Sequence, residues 1–225
     1  MTMKPINDIR LFTSSVPNAD SQPLPGEADS KHAAILLRRI AMKLREANFS
    51  LGSFDHLYIN LTPCIPEGAV QPSARSVHRE TAWLRYADYG VTETQLADPA
   101  AIEALAPLAA ERCLLHFAPD SAPLVRSAIR DALHQGARMR MRFREKHAAG
   151  LVAVIYLQLL DNGLYHPLVC VTDEAGNSLL SEALPPCLTL DALGEIRLTK
   201  QTVTILPRRN AFTAGMEPVF FRWHR

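Results

Sequence analysis

Glycine is scarce in this chain, ten in 225 residues, and none is spaced as G-x-G-x-x-G or G-x-x-x-x-G-K. A phosphate-cradling loop needs backbone amides brought close to an anion at a helix start, so nucleotide-binding folds of that kind are excluded. The serine-hydrolase elbow G-x-S-x-G is absent as well. Cysteine is equally sparse. Cys64, Cys113, Cys170 and Cys187 stand far apart with no C-x-x-C pair and no histidine cluster, which signals neither a zinc site nor a redox pair. Four lone buried thiols in a reducing compartment are expected instead.

Long apolar runs are missing too. The longest, Leu151 to Leu157, falls far short of the ~20 residues that cross a bilayer. The chain does not open on a basic segment followed by an apolar one, so no secretory signal is expected and the protein is expected to be cytoplasmic. Net charge is nearly absent at +1, which argues against nucleic-acid binding through overall charge and leaves electrostatic recognition to local patches. At 48% hydrophobic and 21% charged the composition is globular, and the length suffices for a core that needs no cross-links.

What is present is a basic row. From Arg138 to Lys146 the chain reads Arg-Met-Arg-Met-Arg-Phe-Arg-Glu-Lys, with cations at Arg138, Arg140, Arg142, Arg144 and Lys146. A strict period of two puts all five on one face of a strand and Met139, Met141 and Phe143 on the other. Like charges about 6.8 Å apart repel, so an acidic neighbour or partner should answer them. Phosphate binding would use the guanidinium forks as clamps, helped by Arg75, Arg79, Trp83 or Tyr86. A protein with an acidic patch would use the same forks across an interface. Architecture alone would pair the row with Asp161, Asp173, Glu174 or Glu182 on neighbouring strands.

Around the row the chain is organised as an N-terminal strand or flexible arm (residues 1–30) and a single α+β domain (31–225) that can be subdivided near 136. Pro17, Pro23, Pro25 and Gly26 make Thr13 to Ser30 a loop or arm. Asp29 or Ser30 caps a helix with the apolar stripe Ile35 (or Leu36), Leu37, Ile40, Ala41 and Leu44, leaving Arg38, Arg39, Lys43 and Arg45 largely on a solvated outer side. His56 to Leu61 alternates as a half-buried strand. Thr62 to Glu80 is a long loop, and Ala82 to Val91 a second strand. Asp98-Pro99 starts a helix with Ile102, Leu105, Leu108 and Ala109 on its apolar side. Another begins near Pro123, carries Leu124, Val125, Ala128, Ile129 and Leu133, and stops at Gly136; the two form a central helical pair. Beyond it, turn signals at Ala148-Ala-Gly150, Asp161-Asn-Gly163 and Asp173 to Asn177 separate the strands of a C-terminal antiparallel meander. Pro185-Pro186 interrupts it, and a short hairpin turns around Lys200-Gln201. The aromatic tail Val219 to Arg225 is expected to dock on the body.

Catalysis has one candidate group. His78 and Glu80 in the long loop, with His56 and Asp88 on adjacent strands, could do acid/base work if two of them met at a substrate. For a metal, His147, Asp161, His166 and Asp173 lie near turns and would meet only if the hairpin ends folded together; no H-x-H or H-x-x-x-H spacing supports this, and neither metal nor cofactor is expected.

The order of arm, helix, Asp55-His-Leu-Tyr-Ile-Asn-Leu61, Trp83-Leu-Arg-Tyr86, helical pair, Tyr165-His-Pro-Leu168, Leu190-Asp-Ala-Leu-Gly-Glu-Ile-Arg-Leu198 and Val203-Thr-Ile-Leu-Pro207 resembles that of some bacterial polymorphic-toxin immunity proteins, the α+β antidotes of contact-dependent growth-inhibition toxins. The resemblance implies a non-enzymatic cytoplasmic protein that neutralises a cognate toxin domain by covering its active site or a substrate-binding surface. It carries over no catalytic residues. Binding is then expected at Arg138, Arg140, Arg142, Arg144 and Lys146, with Arg75, His78, Arg79 and Glu80 beside them. Toxins with basic nuclease clefts call for acidic antidotes, so an arginine row on a +1 chain favours contact beside the active site or a toxin of another class. The alternatives are a nucleic-acid or phosphate-ligand binding protein using the basic strand, and an enzyme using the His78 and Glu80 loop.

Overall fold

The computed structural model describes residues 4–15, 24, 31–73 and 81–223. It is an α+β structure that divides into two compact units, Met1–Gly136 and Ala137–Arg225.

In the first unit, strands β1 (Asp8–Thr13), β2 (His56–Thr62) and β4 (Leu84–Gly90) run parallel, and β3 (Val70–Pro72) adds antiparallel to β4, giving the order β1-β2-β4-β3. Parallel neighbours require crossovers, and helix α1 (Lys31–Glu46) supplies the first. Ile9, Leu11, Leu57, Ile59, Leu61 and Ala87 are buried on one face of this sheet. The Thr62 to Glu80 loop thus contains a strand, and the turn before it is tight: a Cβ at Gly90 would lie 1.8 Å from the Pro66 carbonyl oxygen, so no other residue fits there. The expected capping of α1 by Asp29 or Ser30 lies outside the described residues.

Helix α1 departs from the expected amphipathic surface helix. Its predicted stripe is buried, but so are Met42 and Arg39, the latter only 6% exposed. Lys43 Nζ donates to Glu46 Oε2 at 2.7 Å and Arg45 Nη1 to Asn7 Oδ1 at 2.6 Å. Packing against β1 and two further helices leaves it no broad solvated side. After a five-residue helix α2 (Glu93–Ala97), opened by a capping box from Thr92 and Gln95, helix α3 (Pro99–Phe117) begins as predicted with Asp98 Oδ1 accepting from the Ala100 amide at 2.9 Å. Of its predicted apolar side Ile102 and Ala109 are buried, joined by Ala106, Ala110, Cys113 and Leu114, whereas Leu105 is half-buried and Leu108 is 42% exposed. Alanines let neighbouring backbones approach closely, and that contact outweighs burying the larger leucines. Helix α4 (Ala122–Gln135) buries Val125, Ala128, Ile129 and Ala132, leaves Leu133 exposed, and ends at Gly136 with positive φ.

The second unit is built on the antiparallel meander β5 (Arg140–Ala148), β6 (Leu151–Leu159), β7 (Tyr165–Asp173) and β8 (Ser178–Ala183). Gly163, at φ +86°, closes the Asp-Asn-Gly turn, and Asn177 donates its amide to Asp173 Oδ1 at 2.8 Å in the next. A smaller sheet follows, β9 (Ile196–Leu198), β10 (Thr202–Ile205) and β11 (Val219–Arg222), with β10 in the middle. Met141, Ala153, Ile155, Leu157, Val169 and Val171 of the meander are buried, as are Leu193, Ile196, Val203, Ile205 and Trp223. The aromatic tail therefore docks in part: Trp223 is 5% exposed and Phe220 56%. Of the four free cysteines only Cys113 is fully buried, where burial pushes its thiol well above the usual range; Cys64, Cys170 and Cys187 are half-buried.

Among the described residues, no helix is long and apolar enough to cross a membrane.

Candidate functional site

The basic row does not share one face. Arg140, Met141 and Arg142 stand opposite Gln158, Leu157 and Tyr156 of β6, but Arg144 stands opposite Ile155, so Phe143 is an extra residue in β5. A β-bulge of this kind shifts the side-chain parity of everything beyond it. Arg140 and Arg142 lie on the open face of the meander with Tyr156 and Gln158, whereas Arg144 and Lys146 turn to the face of Ile155 and Ala153. Arg138 precedes the strand, in a 3-10 turn over Gly136–Arg138, where its carbonyl accepts from Gln158 Nε2 at 3.4 Å.

Each half of the row is answered locally. Arg144 Nε donates to the Leu193 carbonyl at 3.0 Å, and its guanidinium lies 5.3 Å from the centre of the Phe143 ring. Arg142 Nη1 donates to Glu145 Oε2 at 2.8 Å, and His147 Nε2 bonds to Glu145 Oε1. The acid expected on a neighbouring strand comes instead from β5 itself, because the bulge brings Arg142, Glu145 and His147 to one side. The hydrogen bond from His147, followed by the charge of Arg142, holds the Glu145 carboxyl below its ordinary range. Arg140 and Lys146 remain exposed on opposite faces. The legible sign was Glu145 itself: in a strict period of two it would fall on the core face after Phe143, where a lone carboxylate is costly.

The open face of the meander continues across Val152, Val154, Tyr156 and Gln158 of β6 to His166, Leu168, Cys170 and Thr172 of β7, then to Ser181 and Ala183 of β8. Val154 is its most enclosed member at 8% exposed, and the rest are half-buried or exposed, while on the opposite face Ala153, Ile155, Leu157, Val169 and Val171 are buried. The arrangement is an apolar and aromatic centre with Arg140, Arg142, Glu145, His147 and His166 along its margins. Such a composition suits the core and rim of a protein interface.

Of the acid/base group, the two described members, His56 and Asp88, do not meet. His56 pairs in register with Leu84 and Asn60 with Asp88, so four residues of strand, about 13 Å, separate His56 from Asp88. Both nitrogens of His56 are occupied, Nδ1 by Asp55 Oδ1 at 2.7 Å and Nε2 by the Asn7 amide at 3.2 Å, and its ring meets Trp83 edge-on at 4.5 Å. Asp88 Oδ1 accepts from Asn60 Nδ2 at 3.0 Å inside the sheet. Arg75, His78, Arg79 and Glu80 lie outside the described residues.

The metal candidates divide between the two ends of the meander. His147 and Asp173 flank the β5–β6 turn, whereas Asp161 and His166 lie at the β6–β7 turn. Among the described residues no group of three or more His, Cys, Asp or Glu is placed to hold a metal ion. Comparison with protein families, with curated proteins and with solved structures finds no match for this chain.

Proposed function

We propose that this chain is a binding protein of the toxin-immunity kind, which neutralises one bacterial toxin domain by direct contact and steric occlusion. The observation that carries the reading is the half-exposed face of the meander, with Tyr156 and Leu168 at its centre and Arg140 and Arg142 at its margin. Aromatic and arginine side chains are the residues that most often anchor protein interfaces. Arg140, exposed beside the Arg142–Glu145 pair, favours a partner that brings an acidic group to this margin, and complementary charge would raise the association rate.

Splitting the row weighs against a phosphate clamp, since Arg142 is committed to Glu145 and Lys146 faces away from Arg140. Occupation of both His56 nitrogens weighs against that histidine as a general base.

Co-expression with the product of the adjacent upstream gene tests the proposal. The expected result is rescue of growth and a stable complex that Tyr156→Arg or Leu168→Glu weakens at least about tenfold, as truncation of interface anchors does. Failure of that product to bind or to be inhibited would overturn it.

A further inference from the structure

Exposure of Leu108 marks a second surface, in the first unit and independent of the meander face. Leu108 and Leu115 of α3, seven residues apart and so on one side of the helix, join Val70 of β3 as the apolar wall of a cleft of about 420 Å³. Arg112 and His116 rise from α3 beside them, and Arg126 of α4 closes the far rim. The lone acid of the lining, Glu111, is engaged by Arg126 Nε at 2.8 Å. Arg112 has no ion pair among the described residues, so the cleft keeps a cationic surplus next to apolar wall.

We infer that this cleft receives a segment of a protein partner in which an apolar side chain is flanked by Asp or Glu. The wall takes the apolar group, and Arg112, with His116 beside it, takes the carboxylates. The lining is itself too exposed to enclose a small molecule: Leu108 is 42% and the Arg126 side chain 65% accessible, whereas small-ligand sites bury most of their occupant. A peptide draws further binding energy from residues outside the cleft. Strand addition to β3 is not the mode, because that edge strand has three residues and Pro72 offers no backbone donor.

The test uses the whole protein with leucine and valine methyls labelled for NMR, and the probe peptide acetyl-Glu-Asp-Leu-Asp-Glu-amide. Saturable shifts are expected at Val70, Leu108 and Leu115. The peptide with Ser for Leu, and that with Lys at all four acidic positions, should bind at least about tenfold more weakly. Arg112→Glu and Leu108→Ser, both at exposed helix positions, should each weaken the first peptide by a similar factor while the remaining methyl spectrum stays unchanged. Absence of saturable shifts, equal binding of the Ser peptide, or equal binding of hexanoate, which would make the cleft a small-anion site, overturns the inference. Because the shifts are read at the cleft, the outcome is separable from the fate of the meander face.

Discussion

Arg142 and Glu145 stand three residues apart in one strand yet on the same side of it, Nη1 and Oε2 2.8 Å apart, because Phe143 is inserted between them as a bulge. An uninterrupted strand would put residues three apart on opposite faces. One extra residue therefore turns a row of like charges into a local ion-pair network.

The network has a pH signature. A glutamate held below its unfolded value contributes stability that is present above that value and disappears as pH falls through the folded one. The Glu145 carboxyl should titrate below the ordinary value of about 4.3 in a carboxyl-detected NMR titration. Removing the hydrogen bond with His147→Ala should raise the midpoint most, with Arg142→Ala also raising it. An unchanged midpoint in both variants would show that the network does not form in solution.

Phe143 holds two guanidinium groups, Arg144 at 5.3 Å and Arg208 at 6.0 Å from its ring centre. Phe143→Leu, which keeps apolar volume but removes the ring face, should lower stability by about 1–2 kcal/mol, the sum of two such contacts at ~0.5–1 kcal/mol each. Phe143→Ala should cost more, because it also gives up the apolar burial of this half-buried side chain. Urea unfolding of the three proteins measures the difference.

Two glycines at the turn between β2 and β3, Gly68 within it and Gly90 of β4 beside it, should behave differently. Gly90→Ala drives a methyl group into the Pro66 carbonyl, 1.8 Å away, and should cost about 3 kcal/mol or more. Gly68→Ala meets nothing within 4 Å but keeps a φ of +72°, and should cost only about 1–2 kcal/mol. Similar losses at both sites in denaturant titrations would contradict the close approach.

Asn60 and Asp88 form a buried pair on neighbouring strands through Asn60 Nδ2, while Asn60 Oδ1 accepts no hydrogen bond among the described residues. Asn60→Leu strands a buried carboxylate, and Asp88→Leu strands an amide whose penalty is about 1–3 kcal/mol. The first change should cost more than the second, and the double change less than the sum of the two. Additive losses in a double-mutant cycle would show that the two side chains are uncoupled.

Local chemistry made much of this fold legible. The Asp98-Pro99 helix start, the helix stop at Gly136, the alternation from His56 and the Asp161-Asn-Gly163 turn all act within a few residues, so the sequence alone determined the order and type of most elements. Parallel pairing of β1, β2 and β4, burial of Arg39, rotation of α3 toward its alanines and the bulge at Phe143 were decided only in the tertiary structure. Each depends on what a distant segment presents: a helix turns toward the neighbour that packs best, and a strand's register follows its partner. Composition and turn signals thus specified an α+β chain with a basic strand, while pairing with β6 decided that Arg140 and Arg142 look one way and Arg144 and Lys146 the other.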